Sequence, residues 1–294
     1  MTPDEILRCK TKVLTQEQRE DYFTHGYISV ESIIDNNTLE DIVNVTNQFI
    51  EASKEIFSSG DDYDLSPGHN AERPMLRRLK RPDEKHELYW NFANGILADI
   101  ATDLAGPDVV FHHSKLNFKW AGGSDAVKWH QDAQFFPHTN YNVFTIGCYL
   151  EDTNMDNGPL AVIPDSHLGP LYDQYGENGE WLGCLNENDS SKIDINKAEY
   201  LVGPAGSITI HNCRCLHYSP KSISISPRPL LLNCYTSADA KPYTPHPDPS
   251  VHAYELIRGT AAKWAEHDPR PCQIPPDWSN GYTSIFSAQS GEDL

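Results

Sequence analysis

The chain contains no run of about eighteen apolar residues, so no membrane-spanning helix is expected. Its opening residues, Met1-Thr-Pro-Asp-Glu5, lack the basic and apolar regions of a secretion signal. Positive charge is scarce. There are 23 Lys and Arg against 42 Asp and Glu, a formal net charge of −19. Such acidity disfavours a nucleic-acid backbone or an anionic membrane as partner, because both would repel it. The seven cysteines are odd in number and scattered. Reduced thiols in a cytoplasmic protein are therefore expected. Cys213 and Cys215 form the only close pair, and no second pair completes a zinc site, so packing is their expected role. Internal repeats and low-complexity tracts are also absent.

What is present suits a single domain with a real core, at 294 residues and 38% apolar content. An N-terminal helical part is expected over about residues 1–106. Thr15 and Gln18 can form a capping box, and Gly26 can end that helix in the left-handed conformation. Tyr27–Val30 alternates like a short strand. A second helix is expected over Asn37–Phe57 and a third over Asp83–Leu104, where Leu88, Phe92, Ile96 and Ile100 recur at four-residue steps. After Gly106, short β-rich runs follow between turn signals: Val109–His112, Lys115–Trp120, Val143–Leu150, Ala161–Ile163, Ser207–His211 and Leu230–Tyr235. This part, about 107–240, reads as a sandwich or barrel. A C-terminal extension runs over about 241–294, and its Pro242–Pro249 stretch should be irregular and cover an edge or entrance.

The strongest local signal is Trp129-His130-Gln131-Asp132. In extended chain, His130 and Asp132 point the same way and can reach one ion together. With a distant second His they would form a facial triad, leaving coordination positions open. Alone, His-x-Asp is weak. It is followed by Asn157-Gly158-Pro159, then Leu160-Ala-Val-Ile-Pro-Asp-Ser-His167, then Gly206–His211 leading to Leu216-His217. Arg228 stands eleven residues past His217 and opens another apolar strand.

That order resembles the phytanoyl-CoA dioxygenase family, over about residues 14 to 240. The resemblance implies a mainly β fold with flanking helices, whose core is a double-stranded β-helix, or jelly roll, with the metal in its mouth. It implies Fe(II), 2-oxoglutarate and O2 as cofactor and co-substrates. His130, Asp132 and His217 would be the metal ligands and catalytic centre. Arg228 would clamp the distal carboxylate of 2-oxoglutarate, a task that suits a guanidinium fork. Lys115, Asn117 and Thr145 match positions that help to hold the co-substrate. Hydroxylation of an unactivated C–H bond, with release of succinate and CO2, is the implied reaction. Retention of Asp132 disfavours halogenation, which needs a small residue there. His211 competes for the distal ligand role, but the spacing to Arg228 favours His217. His167 is expected to hydrogen-bond structurally, and His112, His113 and His138 to pack or touch substrate.

Arg77 and Arg78 lie in the one basic cluster, Met75–Arg81. They can meet an anionic substrate group or form an ion-paired face. Trp129 and Phe135, beside the metal motif, can shape a substrate pocket or belong to the core. Ser58–Pro74 and the polar insertion Ser166–Glu199 are expected to flank the mouth as specificity loops. Two other readings stay open. A non-catalytic metal- or ligand-binding jelly roll would be favoured by loss of a ligand or of the Arg, and neither is lost. A zinc hydrolase would need a base poised by the metal. With no basic groove for coenzyme A, a small-molecule substrate is expected.

Overall fold

The computed structural model describes residues 1–122, 126–282 and 284–290. The last four residues of the expected C-terminal extension lie outside the described ones. The strands are β1 (Tyr27–Val30), β2 (Tyr63–Leu65), β3 (Leu76–Lys80), β4 (Val109–Lys119), β5 (Val127–His130) and β6 (Val143–Tyr149). They continue with β7 (Leu160–Val162), β8 (Glu199–Leu201), β9 (Ile208–Asn212), β10 (His217–Ser219), β11 (Arg228–Ser237) and β12 (Leu256–Arg258). A large antiparallel sheet runs β1-β9-β6-β11-β4-β3-β2, with β12 beside β4. A small sheet runs β5-β10-β7-β8. This is the expected mainly β jelly roll with flanking helices. No helix among the described residues is long and apolar enough to cross a membrane.

The N-terminal reading holds in detail. Thr15 and Gln18 make the reciprocal capping box of helix Gln16–His25, which ends at Gly26 with φ 81°. Gly26 also admits a neighbour: a Cβ there would lie 2.4 Å from the His167 ring. The second helix spans Asn36–Ala52, with Asp35 as its N-cap. The third is broken into Pro82–Lys85, Glu87–Asn94 and Ile96–Ala105. His86 interrupts it by accepting from the Leu88 N–H at 3.2 Å. Gly95 interrupts it with φ −93° and ψ −116°, outside helical space. The four-residue step survives both breaks, and these helices pack against the outer face of the large sheet around Phe92, Ile100, Leu116 and Leu231.

Two strand readings need correction. Val109–His112 and Lys115–Trp120 are one strand, β4, whose register against β11 slips between Cys234 and Tyr235. The bulge leaves His112 unpaired, breaks the alternation and brings the His112 and His113 Nδ1 atoms to 2.7 Å. The basic cluster Met75–Arg81 contains β3, which pairs Arg78 with Asn117 and Lys80 with Lys115 on β4. Its five residues are all buried, so no polar–apolar alternation marked it as a strand.

Candidate active site

His130 ends β5, Gln131 continues extended with φ −122° and ψ 138°, and Asp132 opens a short 3-10 turn. Extended geometry at Gln131 turns His130 and Asp132 to one side. The Gln131 side chain goes the other way and donates to the Arg214 and Pro170 carbonyls. His217 sits directly opposite His130 in the β5–β10 pair. The Nε2 atoms of both histidines lie 3.7 Å from Asp132 Oδ1. Donor atoms of the three residues all lie within 4.8 Å of one another.

The donor chemistry suits a divalent metal. His130 Nδ1 faces the Lys128 carbonyl at 2.8 Å, and His217 Nδ1 faces the Cys215 carbonyl at 2.9 Å. A carbonyl only accepts, so each Nδ1 carries the proton and each Nε2 presents a lone pair. Burial holds the His130 imidazole down at about 4 despite the Asp132 charge, so it is neutral. Burial pushes the Asp132 carboxyl up, but the imidazoles of His217 and His211 and the Lys115 ammonium more than offset it, so the carboxyl stays well below its ordinary range and is ionised. Its Oδ2 accepts from Thr145 Oγ1 at 3.3 Å and has His211 Nε2 at 3.5 Å. His211 thus flanks the carboxylate but is not in the converging triad.

The triad opens into a cavity that Arg228, Asn117, Lys115 and Thr145 also line. Arg228 is only 2% exposed, yet its Nε and Nη1 have no hydrogen-bond partner among the described residues. Its Nη2 lies 3.4 Å from Ser219 Oγ, which in turn donates to the Gly158 carbonyl at 3.0 Å. The Asn157-Gly158-Pro159 motif therefore braces the strand end beside Arg228. Burial lowers this guanidinium to about 10, and it remains charged. A buried cation with two free donors fits a carboxylate ligand such as that of 2-oxoglutarate.

A second cleft meets the first at Lys115, Asp132 and Ile285. Arg78 and Phe135, both proposed from sequence as substrate contacts, line it. Two other sequence assignments are corrected. Arg77 turns from the cleft into a buried ion pair with Asp64, with contacts of 3.1 and 2.7 Å. Trp129 alternates with His130 on β5, so it points away and stacks on Tyr218 at 5.1 Å. Neither Ser58–Pro74 nor Ser166–Glu199 lines either cavity. The insertion acts indirectly, through Trp181 packed edge-on to Phe135 at 5.2 Å.

The mouth is covered instead by the C-terminal extension. His246, Pro247 and Asp248 line the second cleft, as expected of an entrance cover, and so do Trp278, Tyr282 and Ile285. Phe286 lines the first cavity. Sequence reading missed these last four and Lys80. An Arg-x-Lys spacing on a strand would have flagged Lys80, but the tail carries no motif. His167 is structural as expected: its Nε2 lies 3.2 Å from the Phe23 carbonyl. His112, His113 and His138 are buried and pack with the half-buried His246, and His113 and His246 reach the second cleft. Cys213 and Cys215 are buried in packing roles.

Comparison with known proteins matches this architecture. The chain is 29% identical over 280 residues to the probable alpha-ketoglutarate-dependent hypophosphite dioxygenase of Stutzerimonas stutzeri, covering 93% of this chain and 96% of that one. It is 26% identical over 208 residues to the ectoine dioxygenase of Bordetella bronchiseptica, covering 59% and 60% of the two chains. Its fold superposes on the crystal structure of EctD from S. alaskensis with bound Fe at a TM-score of 0.67, with 19% identity over 91% of this chain and 90% of that one. The family profile described as Phytanoyl-CoA dioxygenase (PhyH) matches residues 22–230, a span that runs from the capped N-terminal helix past Arg228. On that match the chain belongs to the phytanoyl-CoA dioxygenase family, and it is an Fe(II)- and 2-oxoglutarate-dependent dioxygenase.

Proposed function

We propose that His130, Asp132 and His217 hold the iron, that Arg228 holds the distal carboxylate of 2-oxoglutarate, and that the enzyme hydroxylates an unactivated C–H bond of a small molecule in the adjoining cleft. The observation that carries this reading is Arg228. A buried guanidinium with two unpartnered nitrogens shares one cavity with a two-His, one-carboxylate cluster. Removing a charge from water without a partner is costly, so the site is built for an anion.

When bound with 2-oxoglutarate and O2, the iron supplies the oxidising chemistry for C–H cleavage, with release of succinate and CO2. The protein supplies geometry. Backbone carbonyls behind His130 and His217 fix both tautomers, and Thr145 orients Asp132. Arg228 sets the reach of the co-substrate along the cavity, with Lys115 and Asn117 on the neighbouring wall. Ile285 and Phe286 close that wall with apolar surface and limit entry of water. Hypophosphite and ectoine, named for the relatives, are small polar molecules, which supports a small-metabolite substrate here. The chain reads as one oxygenase domain. Its seven unpaired cysteines support a cytoplasmic setting.

Anaerobic titration with Fe(II) and 2-oxoglutarate tests the assignment. The chelate should give a weak visible charge-transfer band in the wild type. Absence of the band with correctly folded protein would overturn the reading.

A further inference from the structure

The segment around β3 carries four basic residues whose surroundings differ sharply. Arg77 is neutralised by Asp64. Arg81 is neutralised by Asp62, Glu84 and Asp248. Among the described residues, Arg78 and Lys80 have no carboxylate within ion-pair distance, although they are only 5% and 8% exposed. Arg78 donates through Nε to the neutral Asn117 Oδ1 at 2.9 Å. On β4, Lys115 lines the same cleft.

Strand register makes the arrangement costly in isolation. Lys80 stands directly opposite Lys115 in the β3–β4 pair, and Arg78 directly opposite Asn117. Directly opposed residues share a face, so Arg78, Lys80 and Lys115 present three positive groups to one side of the sheet. Like charges directly opposite are destabilising, and buried charges are normally paired. Among the described residues, two carboxylates line the cleft. Asp248 is engaged by Arg81, and Asp132 belongs to the metal triad. The cleft therefore has an unmet requirement for negative charge, in a chain whose net charge is −19.

We propose that this cleft binds a compact, doubly charged oxyanion, the phosphonate or phosphate group of a small substrate, through Arg78, Lys80 and Lys115. The inference rests on the oxygenase reading and adds the substrate class. Three cations match two negative charges better than one. A guanidinium fork and two point-charge ammoniums suit three oxygens around a tetrahedral centre better than a planar carboxylate. His113 and His246, stacked at 4.5 Å beside the cations, add neutral imidazole nitrogens to that wall. Phe135 and Ile285 give the cleft apolar surface that suits the carbon part of the molecule, while the Tyr282 hydroxyl accepts a hydrogen bond from Arg78. Asp132 lines the same cleft, so the bound head group would lie close to the metal triad. The carbons offered to the oxidant would then be those near the anion. Arg228, the 2-oxoglutarate anchor, lines only the other cavity, whereas Lys115 lines both.

The test uses full-length enzyme loaded anaerobically with Fe(II) and 2-oxoglutarate. Methylphosphonate and methanesulfonate are nearly isosteric but differ by one charge at a pH where the phosphonate is fully ionised. Calorimetric titration should give methylphosphonate at least about tenfold tighter than methanesulfonate. Lys80→Met and Arg78→Met should each weaken methylphosphonate by at least about tenfold, while Lys80→Arg restores most of the affinity. In melting experiments methylphosphonate should stabilise the wild type and Lys80→Arg but not Lys80→Met, a readout independent of turnover. Equal affinity for the two probes, no detectable heat with either, or undiminished phosphonate binding by Lys80→Met and Arg78→Met would each overturn the proposal. Failure of the oxygenase reading shows separately, as loss of the charge-transfer band.

Discussion

His130 and His217 stand directly opposite each other in the β5–β10 pair, and each ring donates its Nδ1 proton to the carbonyl two residues before it. The same local device thus orients both imidazoles from the main chain. The third ligand position, Asp132, lies just past the end of β5 and is steadied by side chains instead.

Asp132→Ala should abolish hydroxylation and weaken Fe(II) binding, while the cooperative fold persists because the two rings keep their carbonyl anchors. Metal analysis and thermal melting would check both halves. His211→Ala, beside the carboxylate but outside the triad, should still bind iron, weakened by no more than about 10–100-fold. Equal loss in the two variants would mean that His211 is itself a ligand.

Arg228→Ala should weaken 2-oxoglutarate by about 2–5 kcal/mol, roughly 30- to 4,000-fold. Apparent affinity for the co-substrate, read from the charge-transfer band, is the measurement. An unchanged affinity would shift the anchoring role to Lys115.

Stability should fall on acidification through the buried histidines. Burial holds His138 at about 4 and His246 at about 3, against an ordinary value of 6.5. The unfolded chain then binds more protons than the folded one between those limits. The stabilising contribution is complete above pH 6.5 and is lost as pH drops towards 4, by about 2 kcal/mol per histidine at pH 5. His138→Asn keeps a donor for the Phe136 carbonyl, which His138 Nδ1 meets at 2.7 Å, and removes the titration. Denaturant melts at pH 7 and pH 5 should show a smaller difference for this variant than for the wild type.

Ile285→Ala should open one cavity into the other, because Ile285 walls both. The expected result is greater succinate release without substrate, from a less enclosed centre. Truncating a buried Ile also costs about 2–5 kcal/mol of stability. Succinate assays of the folded variant without added substrate are decisive. A background rate equal to the wild type would mean that Ile285 is filler.

The chemistry nearest the metal was legible because it is written locally. His130 and Asp132 are two residues apart, and Arg228 follows His217 at a spacing shared with the family. The anion-facing wall was only half legible. Arg78 stood out by its charge, but nothing in the sequence says that Lys80 faces Lys115, because strand pairing brings those residues together. Arg77 and Arg78 look alike in sequence and are separated only by Asp64, which reaches one of them through β2. The long apolar period of residues 83–104 marks them as helical but does not reveal the interruptions at His86 and Gly95. The tail was the least legible part: Trp278, Tyr282, Ile285 and Phe286 matter for where they dock, and no local pattern encodes that.

The contact at Gly26 reaches beyond a single turn. A missing side chain there makes room for the His167 ring, and the Asp165 N–H donates to the His25 carbonyl at 3.0 Å. The helical N-terminus is thereby clasped to the turn that follows β7, and β7 pairs with the strand bearing His217. Any side chain at residue 26 would meet both a positive φ and an occupied space. Cooperativity follows from this clasp. The first hundred residues and the jelly roll should melt in a single transition, and Gly26→Ala should lower its midpoint and reduce iron retention at a metal site formed on another sheet.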